Sequence, residues 1–555
     1  MRTLDWLVLA VSLVGIVGYG LHKARGSNTT ESYLLAGRTM RWWVIGLSIM
    51  ATQASAITFI GTTGQGYVDG LRFVQFYFGL PIAMVLIAAI AVPFYFRSGV
   101  YTAYEYLEQR FDSKTRTLTS LVFLVQRGLG VGLALYAPAV VLSVIMGWPE
   151  WITILTMGAL VVTYTVIGGI KAVMWTDAQQ MMVMFLGIFV AFLAAVWGLP
   201  SDVSFRDAIY LSGVSGKLRA VDLSFDWENR YNIWSGIIGG TFLALSYFGC
   251  DQSQVQRFLT GRSMSHMRFS LLFNAVVKVP LQFIILLTGT LVFTFFIFSP
   301  SPVLFNDVQL DRMRSSGDPA YAAVETRYTQ ALAARQEAAR DLLRTASPPA
   351  EASYLDAERS VRAIRQEGIA LAEQESGATY NDTNYIFLHF VTRHLPVGLV
   401  GLIMAAVFAA AMSTISAELN SLAAVTVIDH YRRYMRKNAE DRHYANVSKV
   451  VTAFWGVYAA VFAGFGGQLG SLIEAVNIVG SLFYGSVLGV FVLAFAPWRA
   501  NGHGAFFGML AGLAAVAWTS QNTSISFLWY NVVGCVVTVA VGLAISRTSG
   551  TEEAA

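Results

Sequence analysis

The chain has 555 residues, 55% of them hydrophobic and 13% charged, and its mean hydropathy of +0.54 reflects apolar runs that repeatedly reach the roughly 20 residues needed to cross a bilayer. A net charge of +4, with the basic residues in short connections between those runs, excludes nucleic acid as the implied partner. The two cysteines, Cys250 and Cys535, sit inside apolar runs and exclude a disulfide framework or a cysteine metal site. What remains is an all-α, polytopic membrane protein whose surroundings are the lipid bilayer.

The first run, Trp6 to Gly20, precedes His22-Lys23-Ala24-Arg25 and lacks a small-residue cleavage site, so it reads as a retained span. In chain order the sequence predicts thirteen spans, starting near residues 5, 42, 73, 116, 150, 177, 233, 269, 396, 446, 468, 502 and 523. With the N-terminus outside, the inside connections collect Lys23, Arg25, Arg38 and Arg41, then Arg97, Arg110, Lys114 and Arg116, then Lys171, Arg257, Arg262 and Arg268. They go on to Arg432, Arg433, Arg436, Lys437 and Arg442, then Arg499 and Arg547, while the short outside connections hold chiefly Arg72. That is a positive-inside pattern, with the C-terminus in the cytoplasm.

The second span, Trp42 to Gly66, has small and polar residues at its centre, Ala51-Thr52-Gln53-Ala54-Ser55, where lipid tolerates polar groups only if they are satisfied. A break in the helix there frees carbonyls for an ion and offers Thr52, Gln53, Ser55 and Thr58 to a solute. A similar stretch, Gly239 to Gln252, opens the seventh span. Spans two to six and seven to eleven then form two five-helix repeats, each beginning with an interrupted helix, which is the inverted-repeat plan of secondary transporters. The division is residues 1–41, a first helix and inside loop; 42–199, the first repeat; 200–232, an outside loop; 233–497, the second repeat; and 498–555, two further helices and a short tail. The second repeat is interrupted at 305–385, where Tyr321–Thr345 and Ala350–Glu375 flank Ser347-Pro348-Pro349 as a soluble helical hairpin on the outer face. Its interspersed charges read as a solvated decoration in preference to a partner-binding arm. Asn384 to Leu395 follows as a short amphipathic helix over the outer mouth.

The ninth span carries the adjacent hydroxyls Ser413 and Thr414 in a run of alanines. On a helix, neighbours are about 100° apart and Ala410 lies one turn before Thr414, so the Ala410 carbonyl and both hydroxyls can converge on one point. Three neutral oxygens suit a monovalent cation, whereas Mg²⁺ or Ca²⁺ would want carboxylates; the same hydroxyls equally serve helix packing by bonding to carbonyls a turn back.

Glu31-Ser32-Tyr33-Leu34-Leu35-Ala36-Gly37-Arg38, Trp43, Gly46, Ser48 and Ala54-Ser55-Ala56 resemble the opening signature of the sodium/solute symporter family. Val100 to Phe111, Gly168-Gly169 through Trp175-Thr176-Asp177, Gln254-Val255-Gln256-Arg257 and the Ser413-Thr414 helix are similar to the family's later motifs, in its order, over nearly the whole chain except 305–385. The resemblance implies a LeuT-like fold, no enzymatic activity, and symport of a small organic solute with Na⁺ in a cell membrane, without an obligatory protein partner; the lack of eukaryotic targeting signals and the soluble insertion between spans read as those of a bacterial inner-membrane carrier. It implies sodium ligands at the carbonyls of Ala51, Ala54 and Ala410 and the hydroxyls of Ser413 and Thr414. Asp177 matches a carboxylate on the sodium exit path, which some members use with two further hydroxyls for a second sodium. Ser416 keeps one of these and Ala417 replaces the other. Alternatively, Asp177 at the start of its span answers the helix dipole.

For the solute, the polar residues expected to face a central cavity are Thr52, Gln53, Ser55, Thr58, Gln75, Tyr77, Arg127, Ser246, Tyr247, Lys278 and Asn477, a set suiting a sugar, polyol, sugar acid or carboxylate. Thr58 and Tyr77 stand where the family's sugar transporters have Gln and Glu, and Tyr247 matches their aromatic gate, with Phe248 beside it in place of a Trp. Arg127, inside the fourth span, either receives a carboxylate or joins an internal ion pair, the reading preferred here. Glu418, one turn beyond Thr414, faces the inner vestibule or pairs with a cation. A proton-coupled carrier, or a non-transporting sensor on the same fold, is the alternative. No HExxH, GxSxG or P-loop points to an enzyme.

Overall fold

The computed structural model describes residues 1–25, 29–377, 379–465 and 472–549. Among these the chain is helical, with a single isolated β-type bridge between Met40 and Gly261, and nine helices are long and apolar enough to cross a membrane. The longest, Glu150–Trp197, has 48 residues, about 72 Å at 1.5 Å per residue and far more than a ~30 Å hydrocarbon core. It is divided at Gly169, whose φ of 57° and ψ of −157° depart from the helix. A Cβ there would lie 2.5 Å from the Tyr33 carbonyl oxygen, so glycine is required both by conformation and by space. The sixth span therefore starts near residue 170, not 177, and Asp177 lies two turns inside it.

The second span consists of two helices, Trp42–Gln53 and Ala56–Asp69. Ala54 leaves the helix (φ −85°, ψ 66°), and Ser55 restarts it by accepting the Thr58 amide at 3.2 Å, an N-cap that replaces one lost backbone bond. The seventh span is interrupted likewise. Ser235–Gly249 stops at Cys250, and Asp251 caps Gln252–Leu259 by accepting the Ser253 amide at 2.8 Å. Around these broken helices pack the long Met264–Phe298 and the ninth-span helix Leu399–Val425, which is buried along nearly its whole length. Small residues permit the contact: a Cβ on Gly289 would fall 1.9 Å from the Thr63 carbonyl oxygen, and one on Gly66 2.3 Å from that of Leu286.

The insertion is a pair of helices, Pro319–Thr345 and Pro348–Ser376, preceded by Asp307–Ser315 and followed by Thr383–His394. Its outer charges face solvent, but its inner face is lashed down. Arg335 pairs with Glu358 (2.9 Å) and donates to the Phe296 carbonyl at the end of the eighth span (2.7 Å). Arg340 meets Asp202 (3.1 Å), the Tyr354 and Ser215 hydroxyls bond at 2.8 Å, and Arg365 meets Asp382 (2.6 Å). Leu342 and Tyr354 close an apolar cluster with Val203, Leu211 and Phe298. The hairpin thus roofs one face of the bundle.

Under that roof, the Lys217 ammonium donates to the Tyr67 (2.6 Å) and Val68 (2.9 Å) carbonyls, capping the last turn of Ala56–Asp69. Burial pushes Lys217 down to about 7, with Arg362 opposing its charge further. Between pH 7 and about 10.5 the folded lysine is neutral while the unfolded one still takes a proton, so this group's contribution to stability rises with pH across that window and is level outside it. Each pH unit adds up to about 1.4 kcal/mol. Thermal unfolding of purified protein at successive pH values is expected to show this rise, and Lys217→Met is expected to lessen its slope; an unchanged slope in the variant would assign the rise to other groups.

Candidate functional site: an oxygen cluster and a central cavity

The break in the second span removes the amides that would continue the ladder, so the last-turn carbonyls from Ala51 to Ala54 lose their usual partners. The ninth span supplies a replacement. Thr414 Oγ1 lies 3.1 Å from the Thr52 carbonyl oxygen and 3.2 Å from that of Ala410, one turn back on its own helix. One hydroxyl thereby joins carbonyls of two helices at a buried point. Ser413, its neighbour, turns towards the sixth span and donates to Asp177 Oδ1 at 2.7 Å, an arrangement that leaves its lone pairs free. The neutral oxygens and small alanines assembled there fit a monovalent cation. No cluster of three or more His, Cys, Asp or Glu suited to a harder or softer metal occurs among the described residues.

Asp177 is engaged on every side. Its Oδ2 accepts from Ser48 (2.6 Å) and from Arg257 Nη2 (3.2 Å), and Arg257 Nε donates to Ser48 (3.0 Å). Both charged side chains are wholly buried. A dipole effect fades within the first turn, and Asp177 is two turns in, so the ion pair with Arg257 accounts for it. Sequence reading gave no partner for either residue, although two charges at bilayer depth are themselves a signal that they pair. Ser416, proposed with Asp177 for a second sodium, donates to the Ser413 carbonyl at 3.0 Å on its own helix.

Beside the oxygen cluster opens a cavity of ≈ 160 Å³. The broken second span contributes Thr52, Gln53, Ser55 and Thr58; the third span Tyr77; the fourth Arg127; the seventh Tyr247 and Phe248; and the ninth Thr414 and Glu418, while Tyr484, Phe73 and Phe76 complete an aromatic wall. Arg127 is fully committed: it pairs with Asp251 (2.6 Å) and Glu418 (2.8 Å) and donates to the Tyr484 hydroxyl (2.7 Å). Its guanidinium lies 5.2 Å from the centre of the Tyr247 ring, whose hydroxyl accepts from Gln254 (2.8 Å).

Other expected cavity residues do different work. Gln75 is drawn away from the cavity, donating to the Tyr231 carbonyl (2.9 Å) and accepting the Asp222 amide (2.8 Å), so it staples a surface loop. Ser246 donates to the Tyr484 carbonyl (2.6 Å), tying the seventh span to the eleventh. Lys278 is buried behind the lining, its ammonium 5.4 Å from the centre of the Tyr77 ring. The Asn477 side chain lies outside the described residues. Glu418 and Tyr484 line the cavity, and Asp251 holds Arg127 from behind it, without belonging to the expected solute-contacting set, although Glu418 and Asp251 carry the visible signal of an intramembrane charge.

The model of the sodium:solute symporter family matches residues 33–306 and 363–512, passing over much of the hairpin. The chain is 28% identical to the sodium/glucose cotransporter of Vibrio parahaemolyticus, covering 92% of this chain and 84% of that one. It is 24% identical to the sodium-coupled monocarboxylate transporter 2 of Mus musculus, over 98% and 84% of the two chains, and 27% identical to the human sodium/iodide cotransporter, over 94% and 70%. A solved sodium-coupled sialic acid symporter superposes with a TM-score of 0.78 at 22% identity, over 99% and 98% of the two chains. The fold is accordingly the LeuT-like one of these transporters, and the matched residues span both broken helices and the oxygen cluster. The chain belongs to the sodium:solute symporter family.

Proposed function

We propose that the protein imports a small organic solute together with sodium by alternating access, binding the solute in the ≈ 160 Å³ cavity and the ion at the adjoining oxygens of Ala51, Ala54, Ala410, Ser413 and Thr414. Family membership makes it a transporter, not an enzyme, with sodium as the coupling ion. The observation that carries the site is the Thr414 hydroxyl within reach of the Thr52 carbonyl: an ion there joins the second span to the ninth, the two parts that must move relative to each other. Thr414 also lines the cavity, so ion and solute bias the same equilibrium.

Among sugars, polyols, sugar acids and carboxylates, the side chains favour an uncharged hydroxylated solute. Hydroxyls, an amide and aromatic rings line it, and Arg127, the one cation among the described lining residues, already faces two carboxylates. The basic residues of the short connections support an N-terminus outside and a C-terminus in the cytoplasm of a bacterial inner membrane, which puts the hairpin outside. Asp177 would then stand on the sodium exit path, exchanging Arg257 for the departing ion.

The test is uptake into liposomes holding the purified protein, with labelled sugars, polyols and monocarboxylates offered under an inward sodium gradient or an equal potassium gradient. Sodium-dependent accumulation of a neutral hydroxylated solute, rising roughly fifty-fold per 100 mV for one charge moved, is expected. Accumulation of acids alone would overturn the solute class, and equal uptake in both salts would overturn the coupling.

A further inference from the structure

All the oxygens assigned to the sodium site are neutral, so the charge that draws a cation into the bilayer's interior must come from nearby. Among the described residues two buried carboxylate systems lie within reach. In the first, Asp177 faces Arg257 one to one, with both side chains at 0% exposure and both aspartate oxygens occupied. That pair has no charge to spare. In the second, a single guanidinium, Arg127, faces both Asp251 and Glu418, so with both carboxylates ionised the group carries one negative charge in excess.

The excess has an address. Asp251 uses Oδ2 twice on Arg127 and Oδ1 on the Ser253 amide. Glu418 spends only Oε1 on Arg127, and its Oε2, also buried, has no hydrogen-bond partner. Glu418 and Thr414 sit one turn apart on one helix and line the same cavity. Residues at that spacing are near neighbours on a helix surface.

We propose that Glu418 is the countercharge of the coupling ion: its free carboxylate oxygen sets the affinity of the Thr414 site through space, without ligating the ion. The inference rests on the reading of that oxygen cluster as the sodium site. It also gives an order of binding. Before sodium arrives the Arg127–Asp251–Glu418 cluster beside the cavity is net negative; afterwards its charge is balanced, and an uncharged solute enters without a further electrostatic cost. Glu418 is thus a positioning residue for the ion's charge, a part no neutral side chain of similar shape can take.

The experiment is a sodium titration of thermal stability on the purified full chain, with potassium making up constant ionic strength, for wild type, Thr414→Ala, Glu418→Gln, Glu418→Asp and Asp251→Asn. A unit charge about 6 Å away at an effective dielectric constant of about 20 is worth on the order of tens- to a hundredfold in affinity. Glu418→Gln is therefore expected to raise the half-saturating sodium concentration at least tenfold. Glu418→Asp, which keeps the charge, is expected to stay within about threefold of wild type, a rescue that a merely structural role would not give. Asp251→Asn removes the same excess charge from another helix and is expected to weaken sodium as well, so it carries the test should Glu418→Gln not fold. A Glu418→Gln midpoint equal to wild type, an Asp variant as weak as the Gln variant, or an Asp251→Asn variant with wild-type sodium affinity would overturn the proposal. If wild type shows no sodium-selective stabilisation, or Thr414→Ala retains it, the sodium site itself is misplaced and the proposal falls with it.

Discussion

Thr414→Ala is expected to abolish the sodium-selective part of the protein's stability while leaving its stability in potassium nearly unchanged. The hydroxyl touches two carbonyls, on two different helices, and as a single buried hydrogen bond it is worth only about 1 kcal/mol. Its larger effect comes through the ion. A ligand at ~100 times its dissociation constant stabilises the state it binds by about 2.7 kcal/mol, and a site reduced from five oxygens to four, with nothing left in place of the fifth, loses most of that at the same sodium concentration. Thr414→Ser keeps the oxygen and is expected to keep the effect. The measurement is thermal unfolding in sodium against potassium at equal ionic strength, followed by initial rates of sodium-driven uptake. Equal sodium-selective stabilisation in wild type and Thr414→Ala would move the ion elsewhere.

What was legible in the sequence follows from how far apart the interacting groups lie along the chain. The break at Ala54-Ser55 is local: small and polar residues at bilayer depth cannot remain a lipid-facing helix, and the two helices end and restart where the composition changes. The Thr414 contact needed only one helix turn and one neighbouring break. By contrast the Asp177–Arg257 pair joins residues 80 apart, and the carboxylates on Arg127 come from positions 124 and 291 residues away, which no periodicity reveals. Hydropathy also hides a break that involves no polar residue. The fifth and sixth spans read as meeting near Asp177 because the charge is there, whereas the chain turns eight residues earlier at Gly169, where the backbone of Tyr33 leaves no room for a Cβ. Gln75 and Ser246 show the converse error. A polar residue in an apolar run must be satisfied, but a loop carbonyl or a helix carbonyl does this as well as a solute, and residue type alone does not say which.

The second large effect concerns that hidden pair. Arg257→Met is expected to cost about 3–5 kcal/mol, because it leaves Asp177 as an uncompensated charge among buried helices. Asp177→Asn is expected to cost a similar amount by stranding the guanidinium. The two changes together remove both charges, and a buried pair replaced by uncharged groups is often near neutral, so the double variant should recover most of the lost stability. Transport separates the possible roles. Ser413, a proposed sodium ligand, donates to Asp177, and on the reading of Asp177 as the exit-path carboxylate the ion must displace Arg257 as it leaves. The double variant is therefore expected to unfold at a temperature near that of wild type, yet to keep a low rate of sodium-driven uptake with a half-saturating sodium concentration within a fewfold of normal, the mark of a slowed release step. Should stability and uptake return together, the pair does no more than hold the sixth and seventh spans in place, and the ion leaves by a route that avoids Asp177.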